Sequence, residues 1–211
     1  MQNKVVLPQR IFCTGTAGSR WSYIIQTIES IEGTNLSDRD SVNREWHNTH
    51  LESIDASRNP DKIRFTGHKG NYFGKGMEFE SNLDTINLDA PWTESGGTKF
   101  IKSHEWSYQL DDIKEKYPDA WILMIYRADL DSYAWWHQVG GFSIEYPSYS
   151  ALGDHTNVYN EVVQQNKRML EFSTKYDCTW NHFTNKWVEE NFGRQCVPVD
   201  TPRGVLVTLV K

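Results

Sequence analysis

A layered α/β fold around a mainly parallel sheet is predicted for this chain of 211 residues, and three observations predict it. Short apolar stretches of strand type alternate with longer stretches of helical period. One of the apolar stretches, AWILMIY at residues 120–126, is an unbroken run of the kind that a strand buried on both faces requires. Finally, the first strand passes through a turn of small residues directly into a helical pattern, a junction at home at the carboxyl edge of a parallel sheet.

Taken in order, residues 10–14 read as a short buried strand, and residues 19–31 carry apolar side chains at Trp21, Ile24, Ile25, Ile28 and Ile31, a helical period that Gly33 ends. Residues 34–97 are polar and weakly periodic, with a strand expected at 62–66 among loops and short helices. Order returns with a strand at 98–102, a helix at 106–117 stopped by Pro118, and the apolar strand at 120–126. Asp129 or Asp131 caps the next helix, which runs to about Val139 before Gly140 and Gly141. A long helix follows over 154–176, then a short strand over 178–183, a helix over 184–192 closed by Gly193, and a last strand over 204–210. No repeat, low-complexity segment or linker divides the chain, so residues 1–211 are expected to form one domain.

Composition narrows the function classes. Hydrophobic residues make up 38% and charged ones 24%, with no apolar run near the length of a membrane span and no leader-like start, so a cytoplasmic protein without membrane contact is expected. Three cysteines, Cys13, Cys178 and Cys196, fit neither a disulfide framework nor a zinc site. A formal net charge of −6 speaks against a nucleic-acid partner and for a small, locally held anion. His47 and His50 in WHNTH lack the companions of a metal site, and no metal is expected. The stretch GHKGNYFGKGMEF at 67–79 reads either as an acceptor-binding lid or as a surface loop. Trp135 and Trp136 cannot both face the core, which leaves one for the site or for ordinary packing.

The candidate site begins at the first junction. A strand that turns straight into a helix aims backbone N–H groups and the positive end of the helix dipole at one point, which is an anion site. Gly15, Ala17 and Gly18 let a phosphate approach the backbone, Thr14, Thr16 and Ser19 offer hydroxyls, and Arg20 adds a forked cation. The junction does not match G-x-x-x-x-G-K-[ST]. Lys102 and His104 stand at the end of the strand at 98–102, and Arg127 stands at the end of the strand at 120–126. Open α/β sheets keep their ligands at that edge. On an extended segment the Lys-x-His spacing turns both side chains to one face.

These three stretches resemble the sulfotransferase family that uses 3′-phosphoadenosine 5′-phosphosulfate. Its phosphosulfate-binding strand-loop-helix matches Thr16-Ala17-Gly18-Ser19-Arg20-Trp21, its Lys-Thr-His segment matches Lys102-Ser103-His104, and its Tyr-Pro-Asp-Ala strand with a following Arg-Asn-Pro-x-Asp matches residues 117–131. The resemblance covers residues 9–31 and 98–140. It implies a three-layer α/β/α sulfotransferase fold of P-loop-like type and transfer of a sulfonate to a hydroxyl or amine of a small-molecule or glycan acceptor. It further implies His104 as base, Lys102 beside it, residues 14–21 around the 5′-phosphosulfate, and Arg127 on the 3′-phosphate, with Ser132 as the stand-in for the family's serine there. The family's loop lysine falls on Thr16 here, with Arg20 or Lys102 as its substitute, and its serine after the arginine falls on Trp135. Its late Arg-Lys-Gly is only echoed in Pro202-Arg203-Gly204. Two alternatives stand beside this reading: a non-catalytic nucleotide-binding protein of the same fold, and a P-loop kinase or triphosphatase.

Overall fold

A computed structural model describes residues 5–37, 44–48, 63–68, 72–73, 78–79, 83, 88–89, 92, 94–138, 154–194 and 202–211, and only the backbone of the four short stretches between 44 and 79. The elements run β1 (Arg10–Gly15), α1 (Trp21–Glu29), β2 (Arg44–Asn48), β3 (Ile63–His68), β4 (Tyr72–Phe73), β5 (Glu78–Phe79) and β6 (Lys99–Lys102). A 3₁₀ helix (His104–Tyr108), α2 (Leu110–Lys116), β7 (Trp121–Arg127), α3 (Asp129–Gln138), α4 (His155–Lys175), β8 (Asn181–His182), α5 (Asn185–Phe192) and β9 (Val205–Val210) complete the order.

The main sheet has five strands in the order β6-β1-β7-β9-β8. Its core is parallel: β1 lies between β6 and β7, with Ile11 opposite Phe100 on one side and Trp121 on the other. β9 then pairs antiparallel with β7, and β8 antiparallel with β9. β2 with β3 and β4 with β5 form two separate antiparallel pairs.

Period-two alternation along the strands divides the apolar residues between two cores. Ile11, Cys13, Phe100, Leu123, Ile125, Val205 and Val207 pack against the stripe Trp21, Ile24, Ile25, Ile28 of α1 and against Trp187, Val188 and Phe192 of α5. Their neighbours Phe12, Ile101, Ile122, Met124 and Val210 pack on the other face against Trp106, Leu110 and Ile113, and against Met169 and Phe172 of α4. Helices therefore cover both faces of the sheet.

Two stretches differ from the periodicity. The helix expected at 106–117 is a 3₁₀ turn followed by α2, because the hydroxyl of extended Ser103 accepts from the Glu105 N–H and starts the turn early, and Gln109 then breaks the helical path. α1 begins only at Trp21, since Arg20 is left-handed with φ 68°. The junction to α4 is as expected, with the Asp154 carboxylate accepting from the Asn157 N–H. Likewise, Thr184 caps α5 at its start, and Gly193 closes it in the left-handed conformation. Val139, Gly140 and Gly141, with the expected end of the helix after Arg127, lie outside the described residues, as do His50 and Cys196. Among the described residues no helix is long and apolar enough to cross a membrane.

Candidate functional site

The carboxyl ends of β6, β1 and β7 bring the loop at residues 15–20, His104 and Arg127 together. Gly15 is confined there, since a Cβ would lie 2.7 Å from that of Trp21 and 3.0 Å from the Ile125 carbonyl oxygen. The turn closes with the Ser19 N–H donating to the Thr16 carbonyl at 3.0 Å. Gly18, at φ 77°, lies so close under α3 that a Cβ would fall 1.9 Å from the Ser132 carbonyl oxygen.

α3 locks the loop from above. The Ser132 hydroxyl donates to the Arg127 carbonyl at 3.2 Å, the Thr16 hydroxyl donates to Ser132 Oγ at 3.5 Å, and Arg127 Nη1 donates to the Gly18 carbonyl at 3.3 Å. Thr14 donates to the His104 carbonyl at 3.2 Å and so ties β1 to the 3₁₀ helix. Thr14, Thr16 and Ser132 are all fully buried, so their hydroxyls shape the loop from inside the fold. Ala17 and Trp21 are buried beside them, Trp21 beneath the ring of His104.

His104 opens the 3₁₀ helix and is not on an extended segment; it and Lys102 meet different partners on the α1 side. The His104 ring lies 4.6 Å from that of Trp21, and its Nδ1 hydrogen-bonds the Gly15 carbonyl. A carbonyl only accepts, so Nδ1 carries the proton and Nε2 the lone pair. Burial pushes the imidazole down to about 4, against which the Gly15 bond acts in the opposite sense. His104 is therefore neutral at pH 7.

Lys102 does not open into a cleft. Its ammonium sits 2.7 Å from the Glu29 carboxylate, with the two side chains 7% and 5% exposed. That buried pair ties β6 to the last turn of α1, and the removal of either partner alone would strand a charge in the core. Cys13, the register neighbour of Lys102, has its thiol pushed well up by burial and by the Glu29 carboxylate, which makes it an inert core group.

Cations gather instead around Trp135. The Arg20 guanidinium stands 4.5 Å from the Trp135 ring centre and 4.9 Å from that of Tyr23, and the Arg127 guanidinium stands 5.6 Å from Trp135. Burial, and the charge of Arg20, hold Arg127 below its ordinary value, while Asp131 acts the other way. Asp129, the other carboxylate near that strand end, accepts from Asn166 at 2.7 Å. Three buried donors at this place have no acceptor among the described residues: Ser19 Oγ, Arg127 Nε and Trp135 Nε1. Trp136, by contrast, is 2% exposed and belongs to the interior.

Glu29 escapes a reading of the sequence altogether, and of the pair Trp135 and Trp136 the sequence leaves open which one stands at the site. Glu29 follows Ile25 by one helical turn, so a carboxylate on an otherwise apolar stripe is the signal that it needs a buried cation. Trp135 follows Ser132 by three residues on α3, which puts both on the side that meets the loop. Among the described residues no group of three or more His, Cys, Asp or Glu side chains could hold a metal. A groove of about 510 Å³ lies on the α4 side, lined by Tyr126, Asp129, Asn166 and Leu170, apart from the loop. No protein-family signature, curated protein or solved structure matches the chain.

Proposed function

We propose that this chain is a sulfotransferase of the P-loop-like sulfotransferase fold, which moves a sulfonate from 3′-phosphoadenosine 5′-phosphosulfate to a hydroxyl or amine of an acceptor. The observation that carries the reading is one juxtaposition: a small-residue strand-to-helix loop, two arginines beside it, and a buried neutral histidine hydrogen-bonded to the loop's first glycine. In the reaction the acceptor oxygen or nitrogen attacks sulfur, the bond from sulfur to the 5′-phosphate oxygen breaks, and adenosine 3′,5′-bisphosphate leaves. His104 Nε2 takes the acceptor's proton, a step commonly contributing about 10²–10⁴ in rate. The loop N–H groups with the hydroxyl of Ser19 and with Arg20 stabilise the charge gathering on the departing phosphate. Arg127 takes the 3′-phosphate.

The remaining candidates act through others. Lys102 is engaged by Glu29 and holds β6 against α1, so Arg20 is the loop's substitute for the family lysine. Thr14, Thr16 and Ser132 fix the loop and α3.

A second reading has its own observation. With Thr16 in the lysine position and Lys102 neutralised by Glu29, a protein that binds the nucleotide without turnover fits the same residues. Calorimetric titration with adenosine 3′,5′-bisphosphate, against adenosine 5′-monophosphate and magnesium ATP, tests the donor site. The bisphosphate should bind best, and Arg127→Ala should weaken it by at least about tenfold, as expected for a charge-assisted contact. Equal binding of the monophosphate, or preference for magnesium ATP, would refute the donor assignment. Release of the bisphosphate from the sulfonate donor in the presence of acceptors separates the catalyst from the binder.

A further inference from the structure

Two guanidiniums share one indole at this site, and like charges do not gather without a reason. Arg20 stands 4.5 Å and Arg127 5.6 Å from the Trp135 ring. A cation over an indole face is held by about 0.5–2 kcal/mol depending on its desolvation, so the ring offsets part of the repulsion between the two. Tyr23 supports Arg20 a second time at 4.9 Å, and Arg127 is braced by the Gly18 carbonyl. The arginines are thus set in place before any ligand arrives, which lowers the ordering cost of binding.

The orphaned donors supply an independent indication. Ser19 Oγ, Arg127 Nε and Trp135 Nε1 are buried and lack acceptors among the described residues, whereas buried donors are ordinarily satisfied. All three belong to the loop or to the two residues packed on it. An acceptor-rich, multiply charged ligand would satisfy them together.

We propose that Trp135 is both a clamp for Arg20 and Arg127 and a direct donor, through its indole N–H, to a ligand carrying two phosphate-type groups. The clamp makes the loop selective for such a ligand over one with a single phosphate. The proposal rests on the donor reading above for the nucleotide, but it concerns a residue that stands where the resembled family has a serine. An indole N–H replaces the serine hydroxyl as donor, and the indole face does what a hydroxyl cannot.

Calorimetry on the full chain tests it with four probes: inorganic pyrophosphate, inorganic phosphate, adenosine 3′,5′-bisphosphate and adenosine 5′-monophosphate. Three proteins are compared, the wild type, Trp135→Phe and Trp135→Leu. Phenylalanine keeps an aromatic face and loses the N–H, and leucine loses both. The expected order for the doubly charged probes is wild type, then Phe a few fold weaker, then Leu weaker by about tenfold or more. The preference for pyrophosphate over phosphate should narrow along the same series. A merely structural role could rank Phe between the two, but it would weaken both probes alike and leave that preference unchanged.

Leucine binding as tightly as the wild type, or phenylalanine as weak as leucine, overturns the clamp. If Trp135→Leu proves unfolded by circular dichroism, the Phe variant decides through the preference ratio, and an unchanged ratio overturns the proposal. Graded binding of pyrophosphate without binding of the adenosine bisphosphate leaves the clamp standing and removes the sulfonate-donor reading. Bisphosphate binding indifferent to Trp135 does the reverse, and no binding of any probe by the wild type removes both.

Discussion

At the scale of single residues, His104 states most clearly how burial sets the charge of a group. The ring is 2% exposed, packed at a tilt against Trp21 and bonded through Nδ1 to Gly15. Its conjugate acid is held at about 4, against about 6.5 for an unperturbed histidine. Folding therefore favours the neutral form, and the unfolded chain binds more protons wherever the pH lies between those values. Stability from this group is complete above pH 6.5 and is lost as the pH falls from about 6.5 to about 4, in total roughly 3 kcal/mol at ~1.4 per unit. His104→Asn keeps an N–H for the Gly15 carbonyl and cannot titrate. Urea unfolding of the two proteins across that window should show the wild type losing stability that the variant does not lose, on top of the carboxylate titration common to both. Parallel profiles would mean that the imidazole is solvated in the folded state.

At the scale of elements, the site is a contact between a loop and a helix. Gly18 touches the backbone of α3 so closely that a methyl group cannot enter without moving it. Gly18→Ala pays twice: roughly 1 kcal/mol for a left-handed alanine and about 1–3 kcal/mol for overpacking against Ser132. The variant should lose roughly 2–4 kcal/mol in urea unfolding, and its affinity for adenosine 3′,5′-bisphosphate should fall as α3 lifts Trp135 from the loop. Gly96 has open space around it and no left-handed backbone, so Gly96→Ala should stay within about 0.5 kcal/mol of the wild type. If both glycine variants behave alike, α3 does not depend on the close approach. Sequence spacing reveals the strand, turn and helix of this junction, and Arg127 at its strand end, because local periodicity and position alone decide them. It does not reveal the Lys102–Glu29 pair, whose members are 73 residues apart, nor the direction of β9, since an apolar run such as VLVTLV fits a parallel or an antiparallel neighbour equally. The 3₁₀ turn at His104 is hidden for another reason: a single hydroxyl, that of Ser103, starts it.

At the scale of the whole molecule, the sheet separates two cores that share no side chain, and β1 and β7 contribute to both: Ile11 and Leu123 on one face, Phe12 and Met124 on the other. The carboxyl edge of the sheet depends on both cores. α1 stands on the first beneath Trp21 and His104, and the 3₁₀ helix carrying His104 stands on the second through the fully buried Trp106. Coupling through the shared strands predicts one cooperative transition, not two. Ile28→Ala empties a place in the first core and Met169→Ala one in the second, each at a cost of about 2–5 kcal/mol for a buried side chain cut back to alanine. The two sites have no common partner in these cores, so the double variant should lose the sum within about 0.5 kcal/mol. Each single variant should also move the same transition, whether followed by far-ultraviolet circular dichroism or by tryptophan fluorescence. Two separable transitions, each sensitive to only one substitution, would mean that the sheet fails to couple its faces. In that case the loop and the histidine would be held by independently melting halves, and ligand binding would vanish with whichever half melts first.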